Sequence, residues 1–289
     1  MDLSLNRRLF RRAKNAFLAM TYGIYMTYFG FLLRFLVIPI IIFLTITWWD
    51  NKNNKPTPGF QNGRVVWIAI LVHVILAVVY TTPWDNYLVA TGVWYYNPDL
   101  VTGIVFGYVP IEEYTFFVLE TILSGLWWWF LARRISEPKE NFHSSKTARI
   151  ISAGILLFVW IIFTVLFFSD NQPITYLSIT LFWALPAIFP QLLYGADILW
   201  HHRNLVFLSI FIPGIYLSLA DIIALKDTTW AISPAQTTGI LFFGILPLEE
   251  VVFFFITNIL IAFGVTLLLS NIGRQRFNDW KSNNYKGLP

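Results

Sequence analysis

Seven apolar stretches dominate this chain, at roughly residues 25–48, 64–82, 104–131, 148–169, 174–194, 204–225 and 236–270. A helix needs about 20 apolar residues to cross the ~30 Å hydrocarbon layer, and these runs are of that order. In lipid every backbone polar group must be satisfied internally, so the choice lies between helices and a closed barrel. Barrel strands would alternate polar and apolar residues over ~10-residue segments, and no such alternation is present. The expected fold class is therefore all-α, a polytopic transmembrane helix bundle of about seven spans. The low charge content agrees: 12% of residues are charged, against about 25% in a soluble domain. The last stretch is long enough to tilt or to include a short lead-in segment.

Polar segments divide the chain further. Residues 1–23 place Leu5, Leu9, Phe10, Ala13, Phe17 and Met20 at helical spacing, with Arg7, Arg8, Arg11, Arg12 and Lys14 on the remaining arc. That pattern predicts an interfacial amphipathic helix. The charged loop "RRISEPKENFHSSK" separates two halves. The expected organisation is a first unit at 24–131, a charged loop and linker helix at 132–170, a second unit at 171–270, and a basic tail at 271–289. Most Lys and Arg fall on the side that holds the C-terminus, which the positive-inside bias assigns to the cytoplasm. The arginines of the N-terminal helix argue the opposite orientation. There is no basic groove with stacking aromatics for nucleic acid. There are no cysteines, which excludes disulfides and thiolate chemistry. Nucleotide, flavin and zinc-protease motifs are also missing.

The two halves repeat. A shift of 136 residues lays Tyr80 on Tyr216, Asp85 on Asp221, Trp94 on Trp230, Pro98 on Pro234 and Gly103 on Gly239. After one inserted residue, a shift of 137 lays Gly107, Pro110, Glu112, Glu113, Phe116 and Phe117 on Gly244, Pro247, Glu249, Glu250, Phe253 and Phe254. Chance in an apolar chain explains one or two such matches but not this ordered set. Each unit supplies three spans, and the fourth span links them. Four spans separate equivalent helices, so the repeats run parallel, about an axis along the membrane normal.

Both copies carry an acid pair, in "GYVPIEEYTFF" (107–117) and "FGILPLEEVVFF" (243–254). Proline followed by acids is also an ordinary helix start. Recurrence with an aromatic escort favours function, because ionisable groups at membrane depth are costly. Each acid has a ring one turn deeper, Phe116 or Phe117 in the first unit and Phe253 or Phe254 in the second. A carboxyl pair that shares one proton is a strong-acid reservoir. Glu120 lies two turns beyond Glu113, where hydrogen bonding between helices and chemistry are both open. Asp85 and Asp221 are expected just after spans two and six, as interface caps or as supports for the glutamates. Arg34 interrupts the first span and requires a partner, for which one of these acids is the candidate. His73 is expected to be a packed histidine, His201 and His202 interfacial, and Trp127–Trp129 part of an aromatic belt.

The duplicated pattern of Pro-Trp-Asp (83–85), Gly-x-Trp (92–94) and Pro-x-Glu-Glu with a Phe pair resembles the small membrane lycopene cyclases. These include the two-subunit actinobacterial enzymes, their fused archaeal relatives, and the cyclase half of the fungal bifunctional lycopene cyclase/phytoene synthase. The resemblance covers roughly residues 25–270. The second unit departs from it with Leu-Ala-Asp in place of Pro-Trp-Asp, residue 120 is Glu where the family suggests glutamine, and a phytoene-synthase portion is missing. The resemblance implies a redox-neutral reaction without a cofactor. An acid protonates the terminal C1–C2 double bond of lycopene, the C5–C6 double bond attacks the cation, and loss of the C6 proton leaves a β-ionone ring. Glu112, Glu113, Glu249 and Glu250 would form the acid–base set. Asp85, Asp221, Glu120 and Arg34 would support it, and Phe116, Phe117, Phe253 and Phe254 would face the passing cation. Implied partners are lycopene and a monocyclic carotenoid from the bilayer, membrane lipids and other carotenoid enzymes, in a prokaryotic cell membrane.

Three alternatives share some of these features. A carotenoid hydratase, or a cyclase of different regiospecificity, would begin with the same protonation. A Glu-Glu membrane protease would need an Arg after the pair, which "EEYTFF" and "EEVVFF" lack. A proton-coupled transporter also uses repeats and buried acids, but needs a polar path to both faces.

Overall fold

Uninterrupted apolar runs leave each backbone segment to satisfy its own hydrogen bonds, and helices follow. The computed structural model describes residues 25–138, 140–169 and 171–285; the amphipathic stretch expected at 1–23 lies outside the described residues. Among them, seven helices are long and apolar enough to cross a membrane. They are α1 (Tyr28–Lys52), α2 (Arg64–Ala90), α3 (Ile111–Ala132), α4 (Lys146–Phe167), α5 (Gln172–His201), α6 (Arg203–Lys226) and α7 (Leu248–Leu269). A polar eighth helix, α8 (Asn271–Tyr285), occupies much of the expected basic tail.

The main differences from the expected boundaries surround the acids. Helix α2 runs through Pro83 to Ala90, well beyond the expected end at 82, whereas α6 (Arg203–Lys226) matches the expected stretch 204–225, which already contained Asp221. Asp85 and Asp221 therefore lie inside helices and are completely buried, not in the loops after them. Packing overrides the proline: Trp84, its neighbour, stacks on Trp183 and on Phe253 at 4.7 and 5.5 Å. The start of the third stretch is not helical either. Strands β2 (Val105–Phe106) and β3 (Val109–Pro110) form a hairpin before α3. Strands β5 (Leu241–Phe242) and β6 (Leu246–Pro247) do the same before α7. Gly107 and Gly244, at φ of 66° and 70°, supply the left-handed turn conformation that favours glycine. The residue inserted between the repeats falls in this turn, which spans Gly107–Tyr108 in one unit and Phe243–Ile245 in the other.

Helix α3 sits in the middle, packed against α1, α2, α6 and α7, while α7 packs against α2, α3, α5 and α6. Helix α4 packs mainly on α5 and leaves most of its surface outward. Gly264 leaves room for the His73 ring between α7 and α2, and Gly214 for Phe255 against α6, the close approach that small residues allow in membranes. His73 is part-buried and bonds the Ala69 carbonyl at 2.7 Å, as expected of a packed histidine. Trp128 and Trp129 are fully buried and do not form an interface belt. They lie on the innermost helix, and their indole N–H groups donate to Thr266 Oγ1 and Asn62 Oδ1 at 2.8 and 3.0 Å.

The units interlock. Strands β1 (Trp94–Tyr96) and β4 (Trp230–Ile232) pair antiparallel, Trp94 opposite Ile232 and Tyr96 opposite Trp230 about the central pair Tyr95–Ala231. Positions 136 residues apart are thus exchanged, as around a local two-fold axis. The Tyr80 hydroxyl donates to the Trp183 carbonyl at 2.7 Å, and its counterpart Tyr216 donates to the Phe35 carbonyl at 3.0 Å. In each case the second helix of one unit grips the first helix of the other.

Charge is segregated along the bundle. At the end away from the acid motifs, Asp50 pairs with Arg134 at 2.9 Å, and Asp197 with Arg276 at 2.7 Å. His202, between α5 and α6 at the same end, is buried against Phe60, with ring centroids 4.5 Å apart. Burial and the neighbouring His201 lower its pKa from 6.5 to about 4. The unfolded chain therefore takes up this proton first as pH falls. Stability is expected to be full above pH ~6.5 and to decline towards pH ~4. His202→Gln should flatten that decline in thermal unfolding of the detergent-solubilised protein.

Candidate active site

The glutamates of each motif occupy the first turn of α3 or α7, where the positive end of the helix dipole favours carboxylates. Their side chains diverge. Glu112 Oε1 accepts the backbone N–H of Thr102 at 2.6 Å, and Glu249 Oε1 accepts that of Thr238 at 2.6 Å. The N–H groups that open the helices, Ile111 and Leu248, donate to the carbonyls of Ile104 and Ile240, both at 2.9 Å. The first glutamate of each pair therefore ties its hairpin loop to the helix start. Both are fully buried, and the second oxygen of each has no hydrogen-bond partner.

The second glutamates, Glu113 and Glu250, line a common cavity of about 30 Å³ between the two units. Asp221 also reaches it, and Phe116, Phe253, Phe254, Trp94 and Trp230 supply most of its aromatic wall. No lysine, arginine or histidine among the described residues lines it. Glu113 Oε2 accepts hydroxyls from Tyr28 at 2.5 Å and Tyr96 at 2.9 Å. Glu250 Oε1 accepts the hydroxyl of Tyr176 at 2.7 Å. Asp221 Oδ1 accepts the indole N–H of Trp230 at 2.8 Å, and its Oδ2 is buried without a partner. Asp85 is buried with both oxygens unpartnered and does not line the cavity.

Tyr28 and Tyr176 open the first helices of the two units and serve equivalent glutamates. Tyr96 breaks the symmetry, because the residue at its shift of 136 is Ile232. Burial and the negative charge of Glu113 raise the Tyr96 pKa well above 10, so the phenol stays a hydrogen-bond donor. None of these tyrosines belongs to a motif, and Tyr28 and Tyr176 are 148 residues apart, outside both repeat shifts. Trp94 and Trp230 did carry a signal, as a matched pair of the repeat.

Other expected site residues lie elsewhere. Glu120 is buried, accepts the Thr257 hydroxyl at 2.8 Å, and lines a second cavity with Phe117. Glu120 and Thr257 are 137 residues apart, so equivalent positions of α3 and α7 touch. Arg34 is exposed and has no ion pair among the described residues, so the expected acid partner is not among its contacts. The π-helical turn Leu33–Val37 shifts the phase of α1 at this position, while Phe31 and Leu36 face the core.

The lycopene cyclase family model matches residues 60–131 and 173–269. The lycopene beta-cyclase of Halobacterium salinarum is 36% identical over 216 residues, 75% of this chain and 87% of that protein. The bifunctional lycopene cyclase/phytoene synthase of Podospora anserina is 32% identical over 210 residues, 71% of this chain and 35% of the fungal protein. That of Aspergillus oryzae is 30% identical over 233 residues, 80% and 38% of the two chains. No solved structure matches. Matched across both of its acid-bearing halves, the chain belongs to the lycopene cyclase family.

Proposed function

We propose that this protein closes the linear ends of lycopene into β-ionone rings by acid–base chemistry within the membrane. The observation that carries the reading is the common cavity: Glu113, Glu250 and Asp221 meet inside an aromatic wall that holds no cation. Carboxyl groups are then the available proton carriers. The reaction gains and loses one proton per ring and moves no electrons to or from an external carrier.

Glu250, with a single hydroxyl donor on it, is assigned the acid that protonates C1–C2. The tertiary cation passes between aromatic faces, whose quadrupoles stabilise positive charge where water is scarce. Attack by the C5–C6 double bond closes the ring. Glu113, whose Oε2 accepts two O–H bonds, has the hydrogen-bond complement of a carboxylate acceptor and takes the proton from C6. Asp221, with one free oxygen, returns it to Glu250. Glu112 and Glu249 position the loops. The monocyclic carotenoid is the expected intermediate, in a prokaryotic cell membrane with the ion-paired end of the bundle towards the cytoplasm.

Tyr96→Phe removes one of the two donors on Glu113 and is expected to slow ring closure about tenfold, the scale of one charge-assisted hydrogen bond. Tyr28→Phe should cost a similar factor. The reading itself is tested by pigment analysis after expression in lycopene-accumulating cells. β-ionone ends support it; a 1-hydroxy product or unchanged lycopene rejects it.

A further inference from the structure

The acid cavity, at about 30 Å³, has room for roughly one water molecule and none for an isoprenoid end. A larger cavity of about 220 Å³ lies beside it, among α2, α3, α5 and α7. Its outer lip is formed by Leu76 and Tyr80, 56% and 40% exposed in the middle of a spanning helix, so its mouth faces lipid. Its inner end is formed by Phe117, Glu120 and Phe253. The Phe253 ring lines both cavities, and is the partition between them. Tyr80 and Trp183 are stacked at 5.5 Å, and Trp183 continues onto Trp84 at 4.7 Å, which provides a flat aromatic flank for a conjugated chain.

The other side of the pseudo-two-fold axis is built differently. The two tyrosine–carbonyl bonds that grip the first helices equate Trp183 with Phe35, 148 residues apart. Beyond the π-helical turn Leu33–Val37, which adds one residue to α1, the shift becomes 147 and places Ile40 and Leu44 where the bay has Ala187 and Gln191, and the shift of 136 places Pro213 where it has Ala77. Small and polar positions of the bay thus have bulkier counterparts in the mirrored place.

Resting on the cyclase reading, we propose that the α2–α5–α7 bay is the docking site for the polyene chain. The chain lies in the bay from the lipid side, and one end displaces the Phe253 ring, which joins the bay to the acid cavity and makes room for that end beside the carboxyl groups. The two ends are then cyclised in separate binding events, with the monocyclic carotenoid released and rebound in reverse.

The test uses the full chain in detergent or proteoliposomes, with lycopene and with a short acyclic isoprenoid that carries the same end group. Ala187→Phe fills the bay at a residue that does not line the acid cavity. It is expected to lower lycopene turnover about tenfold or more, chiefly through KM, and to leave the short analogue within about twofold. Ile212→Phe, at the counterpart of Leu76 on α6, should change neither. Wild-type enzyme chased with unlabelled lycopene should leave labelled monocyclic product. Unchanged lycopene turnover in Ala187→Phe overturns the bay, as does an equal loss with both substrates. A labelled pool that goes directly to bicyclic product overturns separate binding events. If wild type forms no ring from either substrate, the cyclase reading fails. The bay is then decided by the absorption shift of bound lycopene, which Ala187→Phe should abolish and whose retention overturns it.

Discussion

Glu250→Gln is expected to slow ring formation by about 10²–10⁴-fold, the usual contribution of a positioned proton-transfer group. The substitution keeps the side-chain shape and an oxygen to accept the Tyr176 hydroxyl, which lies 2.7 Å away. What it removes is the exchangeable proton. Glu113→Gln should fall in the same range, because the amide still accepts from Tyr28 and Tyr96 but does not take up the C6 proton. The double substitution should be little worse than either single one, since a proton cycle broken at one step is already broken. Ring product per mole of purified protein measures all three, with the thermal midpoint as a control. Wild-type rates in either single variant would remove that glutamate from the mechanism.

The first glutamates of the pairs should behave in the opposite way. Glu112→Ala and Glu249→Ala each delete the acceptor for a backbone N–H bonded at 2.6 Å. Both bonds are part-buried, and a hydrogen bond contributes about 0.5–1.5 kcal/mol net, so both variants should unfold at lower temperature. Glu112→Gln and Glu249→Gln retain a carbonyl oxygen for the same N–H. They should keep most of the stability and most of the ring-forming activity. The informative contrast is therefore between neighbours, Glu112→Gln against Glu113→Gln. If the two variants lose activity equally, with thermal midpoints unchanged, the division of labour within the pair is wrong.

Part of this arrangement could be read from the string of residues. Glu112, Glu113, Glu249 and Glu250 stood out together because acids are rare in apolar runs, and because the pair recurred with its proline and phenylalanines. Asp85 and Asp221 were found as candidates but assigned to loops. The apolar stretch before Asp85 gives way to Thr81, Thr82 and Pro83, and nothing local shows that packing carries α2 further, whereas Asp221 already fell inside the expected stretch 204–225. Trp128 and Trp129 read as a belt, since an indole at a membrane edge and an indole in a core have the same local sequence. Arg34 read as a partner for an acid, whereas the π-turn in α1 turned it outward. Tyr28, Tyr96 and Tyr176 carried no signal, because each reaches its glutamate over 17 or more residues of intervening chain.

What the sequence by itself determined was the seven spans, the duplication and the acid pairs, since apolar length and repetition are properties of the chain alone. Tertiary structure decided which member of each pair meets the cavity. Adjacent helical residues point about 100° apart, and only the packing of α1, α5 and the hairpin loops around α3 and α7 sets which direction is loop and which is cavity. The same packing placed one aromatic bay on one side of a nearly symmetric molecule, because Ala77, Ala187 and Gln191 leave space where their counterparts are bulkier.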